Sequence, residues 1–179
     1  MGEKILILDN SVEEIFEVLD TEGRVIGLAT RSEVHSDPSL IHQVVHVMVF
    51  NKQGYLLLQK RSMNKDIGPG KWDTSVGGHV NPGEDVYSAA VREMGEELGI
   101  VLSDLQFLYS YLFRNHRESE LVSTFSCMYE GEVLFNTEEI DEVRFWHMQD
   151  IKEQIGKGIF SSYFEQEFTC YLQQIDKQE

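Results

Sequence analysis

Glu93, Glu96 and Glu97 stand at i, i+3 and i+4 in the stretch GGHVNPGEDVYSAAVREMGEELGI, residues 77 to 100. On a helix that spacing gathers three carboxylates on one patch, where each like-charged pair costs roughly a few tenths of a kcal/mol. Arg92 lies beside them in sequence, but one guanidinium cannot neutralise three carboxylates. Two readings compete. One is a solvated acidic face. The other is a site for a hard divalent cation, because Mg²⁺ takes oxygen ligands, keeps several waters and is commonly shared between carboxylates and a substrate's phosphates.

The elements that must hold these groups can be read from periodicity. Val86, Ala89, Ala90, Met94 and Leu98 make an apolar stripe that predicts a helix over Asp85 to Leu98, with Pro82, Gly83, Glu84 and Asp85 at its start and Gly99 at its end. Short β-rich runs precede it: EKILILDN, then EIFEVLD and RVIGLATR joined by a turn at Asp20 to Gly23, then HQVVHVMVF and GYLLLQKR joined by Asn51 to Gly54. Each joined pair reads as a hairpin. Strand-like runs return at Leu105 to Phe113, Leu121 to Tyr129 and Glu142 to His147. A last helix over Ser161 to Ile175 carries Phe164, Phe168, Tyr171, Leu172 and Ile175 at helical spacing, the pattern of a core-packing face. This is a mixed α/β chain, read as one domain over residues 1 to 179 with a hairpin arm over 1 to 30.

Composition narrows the function. The 31 acidic residues against 15 Lys and Arg give a formal charge of -16, which argues against binding nucleic acid or an anionic membrane. No apolar run is long enough to span a bilayer. Cys127 and Cys170 make no disulfide framework, so a reduced, cytoplasmic setting is expected. A homodimer is the commonest assembly for a soluble protein.

Spacing decides between the two readings of the carboxylates. Gly78, then Glu84, then Arg92-Glu93-Met94-Gly95-Glu96-Glu97-Leu98-Gly99-Ile100 match every specified position of G-x5-E-x7-REUxEExGU, with U a bulky apolar residue. The chain resembles the Nudix hydrolases, whose box this is, over residues 78 to 100. The resemblance implies an α/β/α sandwich on a mixed sheet, and Mg²⁺- or Mn²⁺-dependent hydrolysis of a diphosphate linked to another moiety. It further implies that Glu93, Glu96 and Glu97 hold the metal, one of them orienting or deprotonating the attacking water. Arg92 would steady a carboxylate, Gly78 would bring backbone close to the metal, and Glu84 would brace the loop or assist the metal.

From about Leu19 to Trp146 the chain is also similar in arrangement to type I isopentenyl diphosphate isomerase. That resemblance implies a second divalent metal held by His35, His42, His79, Glu118 and Glu120, and a diphosphate gripped by Arg31, Arg61 and Lys65. Three imidazoles with two carboxylates suit Mn²⁺, Zn²⁺ or a similar ion. His46, four residues after His42, is a further candidate ligand, His147 has no assigned role, and the polar loop Arg114 to Arg117 is a candidate for substrate choice. Two departures separate this chain from the isomerase. Gly77 stands where the isomerase has its proton-transferring Cys, and Glu93 stands where the isomerase box has a basic residue. The expected activity is therefore pyrophosphate hydrolysis on an isomerase-like frame. An isomerase-like enzyme and a non-catalytic diphosphate-binding module are the alternatives.

Overall fold

The computed structural model describes residues 13 to 177. The run EKILILDN, and with it the start of the arm, lies outside these residues. The first elements are β1 (Ile15–Leu19) and β2 (Val25–Thr30), which form the expected antiparallel hairpin around a turn where Asp20 Oδ1 accepts from the Glu22 and Arg24 amides at 2.9 and 3.0 Å. A four-residue helix, α1 (Arg31–Val34), follows, closed by a capping box between Thr30 and Glu33.

The centre of the fold is β3 (Ile41–Phe50). It pairs in parallel along its whole length with β8 (Ser119–Met128) and antiparallel with β6 (Val76–His79), while β7 (Gln106–Arg114) lies antiparallel outside β8. The sheet is mixed. Because β3 is covered on both faces its sequence runs apolar almost without interruption, which obscures the alternation that a half-exposed strand shows. Val45, Val47 and Val49 pack with Ala89, Ala90, Met94 and Leu98 of α2 (Val86–Leu98), whereas Met48 packs with Phe164 and Phe168 of α4 (Ser162–Ile175). One helix therefore covers each face, giving the expected α/β/α sandwich.

The second expected hairpin is corrected. β4 (Leu56–Arg61) meets β3 at a single residue pair, Phe50 with Leu56, and then leaves it to pair with β5 (Trp72–Asp73) and β9 (Ile140–Trp146). The turn after Asn51 forms as read, but the strands beyond it diverge because each finds a longer partner elsewhere. The space between β4 and the β3–β6 pair opens into a cavity lined by Gln59 and Arg61 of β4 and by Gly77, Gly78 and His79 of β6. The run Glu142 to His147 ends one residue early: His147 caps α3 (Met148–Gln154), its Nδ1 accepting from the Gln149 amide at 3.1 Å. That helix had no sequence signal beyond this cap. No helix among the described residues is long and apolar enough to cross a membrane.

Candidate active site

Helix α2 starts where Asp85 accepts from the amides of Tyr87 and Ser88 at 3.1 and 3.0 Å, and stops at Gly99, whose φ of 64° closes the C-terminus. Between these caps the helix buries its apolar stripe and turns its carboxylates toward β6. Glu97 is only 8% exposed. Its Oε2 accepts from Gln59 Nε2 at 2.9 Å and the Gly77 amide at 3.2 Å. Burial pushes this carboxyl up to about 8, with the Glu93 charge adding to the effect and the Gly77 N–H opposing it. Glu93 is also raised by burial, against the pull of Arg92. Its carboxyl group occupies the space that a Cβ on residue 78 would fill, so glycine there is what lets Glu93 hold this position.

Arg92 does more than sequence reasoning allowed. Its Nε and Nη2 grip Glu84 at 3.0 and 2.9 Å, Nη2 also donates to the His79 carbonyl at 2.9 Å, and Nη1 reaches Glu93 at 2.6 Å and Glu96 at 3.1 Å. One guanidinium thus ties the loop carboxylate to two of the three helix carboxylates and to β6. The Glu84 hydrogen bonds in turn hold Arg92 protonated, and Arg92 draws Glu84 below the usual carboxylate range. Glu97 is left outside this clamp.

On the α4 face of the sheet a second cluster forms. His42 stands opposite Glu120 across the β3–β8 register, His79 ends β6, and His35 follows α1. One nitrogen each from His35, His42 and His79 lie within 4.8 Å of one another, and so do ligand atoms of His42, Glu118 and Glu120. Glu118 engages His35 Nδ1 and the Tyr163 hydroxyl. Phe16 of β1 stacks on His79 with ring centroids 4.4 Å apart, so the N-terminal hairpin forms one wall of the cluster. Burial holds His42 down to about 4 and His79 well below its ordinary value, which keeps both imidazoles neutral, as metal ligation requires. His35 Nε2, both nitrogens of His42 and His79 Nε2 are buried without a protein partner. Buried polar atoms are rarely left so, and a cation between these nitrogens and the two carboxylates would satisfy them. The donor set fits a divalent ion of the Mn²⁺ or Zn²⁺ type.

Both clusters, apart from the fully buried His42, line one cavity of about 430 Å³, together with Arg31, Arg61 and Lys65. Each of these cations already touches an acid or carbonyl. Arg31 reaches Glu14 at 2.7 Å, Arg61 reaches Asp73 at 3.3 Å and the Ile67 carbonyl at 2.8 Å, and Lys65 reaches Glu139 at 2.8 Å. The loop Arg114 to Arg117 does not line the cavity; Asn115 instead closes a turn by accepting from the Arg117 and Glu118 amides at 2.7 and 3.0 Å. His46 stands apart from the histidine cluster and pairs with Glu167. Gln59, Asp73, Thr74, Glu139 and Tyr163 line the cavity without having been singled out, because strand and loop positions of these types carry no spacing signal.

Comparison with known proteins bears on this arrangement. The sequence profile of the NUDIX domain matches residues 40–164. The chain belongs to the Nudix family. It is 32% identical over 157 residues to an isopentenyl-diphosphate Δ-isomerase of Streptomyces avermitilis, covering 84% of this chain and 79% of that one. It is 36% identical over 129 residues to an uncharacterised Nudix hydrolase of Listeria innocua, covering 71% and 76%. Among solved structures, DR0079 from Deinococcus radiodurans superimposes with a TM-score of 0.73 at 23% identity over 83% of this chain and 92% of that one. The NUDIX domain of Shewanella oneidensis NrtR, solved with ADP-ribose, gives 0.60 at 15% identity, over 76% and 86%. These two structures establish likeness of fold.

The buried carboxyls of the Nudix site give a pH prediction. Glu97 and Glu120 are both raised by burial from 4.5 to about 8, so the folded metal-free protein holds protons there that the unfolded chain has released. The stability these two groups contribute then falls as pH rises from 4.5 through 8. His42 and His79, held below 6.5, add stability up to about that pH, so the net fall is expected above 6.5. His46, whose folded pKa is raised, loses its contribution in the same direction but is not a ligand in either cluster. Coordination needs the ionised carboxylates, so a divalent ion should offset the loss of the two glutamates. Calorimetry in chelator should show Tm falling between pH 6.5 and 8.5, and saturating Mn²⁺ or Mg²⁺ should raise Tm more at pH 8.5 than at 6.5. A metal-induced rise that is the same at both pH values would refute the linkage.

Proposed function

We propose that this protein is a divalent-metal-dependent hydrolase that cleaves the phosphoanhydride bond of an organic diphosphate. The observation that carries this reading is the assembled box. Glu93, Glu96 and Glu97 converge beside Gly77 and Gly78, Arg92 clamps Glu84 to two of them, and the patch opens into a cavity large enough for a small diphosphate. In this reading Glu93, Glu96 and Glu97 hold Mg²⁺ or Mn²⁺, and His35, His42, His79, Glu118 and Glu120 hold a second divalent ion. When bound, such ions neutralise phosphoryl oxygens and lower the pKa of water. The chain's own groups do the rest. Glu97, outside the Arg92 clamp and fixed by Gly77 N–H and Gln59, is the carboxylate best disposed to take a proton from the attacking water. Arg31, Arg61 and Lys65 reorient from their acidic neighbours to the substrate phosphates, as Arg92 is fully engaged.

The candidate substrates are drawn from what relatives are named for. The NrtR domain was solved with ADP-ribose, and the Streptomyces isomerases are named for isopentenyl diphosphate, so nucleoside and prenyl diphosphates are the substrates to test first. A reduced cytoplasmic setting suits such substrates and the two free thiols. The test is a panel of ADP-ribose, nucleoside diphosphates and isopentenyl diphosphate with Mg²⁺ or Mn²⁺, followed by ³¹P NMR. At least one member should yield monophosphate or phosphate; no product from any member under either ion would overturn the proposal.

An isomerase-like activity is the second reading, favoured by the complete histidine and glutamate cluster and by the identity to the isomerases. Gly77 opposes it, since a hydrogen side chain transfers no proton. Deuterium uptake from solvent into isopentenyl diphosphate would establish this reading, and its appearance only in Gly77→Cys would show that the thiol alone was lacking.

A further inference from the structure

Gly77 leaves a notch in the cavity floor, and the group beside it is an imidazole. A Cβ on Gly77 would meet His46 Cδ2 at 3.3 Å, His46 Nε2 at 3.5 Å and Thr74 Cγ2 at 3.5 Å. Thr74 is buried, lines the same cavity, and has an Oγ1 with no hydrogen-bond partner. The Gly77 amide, on the same residue, is the donor to Glu97. The notch therefore adjoins the box carboxylates.

His46 is held there by an unusually complete set of contacts. Its Nδ1 lies 2.6 Å from Glu167 Oε2 on α4, a carboxylate with no exposure to solvent. The same carboxylate accepts from Tyr109 at 2.6 Å, Tyr111 at 2.7 Å and Thr124 at 2.9 Å, so all its acceptor capacity is used on β7, β8 and β3. An ionised carboxylate with four donors fixes the imidazole's rotation and keeps a proton on Nδ1, as the carboxylate partner of a functional histidine does. Nε2, the other ring nitrogen, makes no hydrogen bond to the described residues and belongs to a side chain that lines the cavity. Nothing in the core requires a fixed imidazole here: an apolar side chain at position 46 and another at 167 would pack without burying a charge pair.

We propose that His46 is a substrate-contacting residue, donating through Nε2 to a phosphoryl oxygen of a diphosphate seated over Gly77, with Glu167 as its positioning residue. This rests on the reading of the site as one that takes diphosphates. Donation from Nε2 while Nδ1 faces Glu167 needs the imidazolium. Burial opposes that charge, but the Glu167 carboxylate, and more weakly Glu120 and Asp73, outweigh it and raise the imidazole above its ordinary pKa. Arg31, Arg61 and Lys65 line the same cavity but are paired with Glu14, Asp73 and Glu139, so His46 adds a cationic donor whose orientation is already fixed.

The experiment separates this role from a structural one. Asparagine can keep the Nδ1 contact to Glu167 but has nothing at the place of Nε2, whereas glutamine can keep the reverse. His46→Asn should therefore retain most of the wild-type Tm yet weaken binding of inorganic pyrophosphate, titrated calorimetrically with Mg²⁺ present, by about tenfold or more, the size expected for a lost hydrogen bond to a charged group. Gly77→Ala, which fills the notch at an ordinary backbone φ but presses on the fixed His46 ring at 3.3 Å, should weaken it comparably with only a small fall in Tm. His46→Gln should lose stability while keeping more of the affinity than His46→Asn does. In wild-type protein with ¹⁵N-labelled histidine, pyrophosphate should shift the His46 Nε2 resonance more than Nδ1. Pyrophosphate affinity unchanged in both His46→Asn and Gly77→Ala, or no pyrophosphate binding by the wild type, would overturn the assignment. Binding that responds as expected with no turnover of any organic diphosphate would instead sink the hydrolase reading and leave the His46 contact standing.

Discussion

Glu97→Gln is expected to lower hydrolysis of any diphosphate substrate by on the order of 10³-fold, equivalent to several kcal/mol of transition-state stabilisation, while Tm stays level or rises. The two halves of this result have one cause. Glu97 is buried beside Glu93, and its carboxyl is raised to about 8. Folding the metal-free chain at neutral pH therefore already costs either a buried charge or a proton. Glutamine keeps an oxygen for the Gln59 and Gly77 donors and removes the repulsion with Glu93. What it cannot do is bind a cation as an anion or accept a proton from water. Kinetics with saturating Mg²⁺ beside differential scanning calorimetry would check both halves. Loss of activity accompanied by a fall in Tm of many degrees would indicate that Glu97 is structural, and full activity would remove it from the centre altogether.

Gly78→Ala should give the complementary outcome. The added Cβ would fall on the Glu93 carboxyl group, which sits at the far end of a flexible side chain and can swing away, and Gly78 itself has an ordinary negative φ. Folding should change by less than about 1 kcal/mol, as for a surface-like substitution. Activity should drop by about 10²-fold, because Glu93 would leave both the position proposed to face the metal and its 2.6 Å contact with Arg92. The check is a Gly78→Ala, Glu93→Gln double-mutant cycle. If the alanine acts only by displacing Glu93, the double variant should be no slower than Glu93→Gln alone, and additive losses would refute that cause.

These two variants show why the box was legible before any fold was known. Its residues lie within 23 positions, so helical spacing alone places Glu93, Glu96 and Glu97 together, and the caps Asp85 and Gly99 bound the helix that carries them. The apolar periods of α2 and α4 likewise named the faces that cover the sheet. Local information sufficed wherever the interacting groups were one or two turns apart.

Other features depend on contacts between residues distant in sequence, and there local reading reached its end. Arg92 had too little charge to balance three glutamates, but the fold delivers Glu84 and the His79 carbonyl to the same guanidinium and leaves Glu97 for burial. The hairpin read at Asn51 to Gly54 opened after one residue pair because β4 gains more by pairing with β5 and β9, and that divergence makes the cavity. His35, His42, His79, Glu118 and Glu120 were suggested by resemblance, yet only the β3–β8 register and the return of the chain after α1 bring them together, as two triads that share His42 and whose ligand atoms each lie within 4.8 Å. His46 is the sharpest case. In sequence it is one more histidine in an apolar strand, and its partner Glu167 is 121 positions away. The sequence by itself determined the mixed α/β class, the two long helices and the acidic patch, because those follow from short-range periodicity, while the sandwich was implied by the family resemblance. The tertiary structure alone decided which charges are clamped, which are buried, and which imidazoles face the cavity, because burial and long-range pairing set those energies.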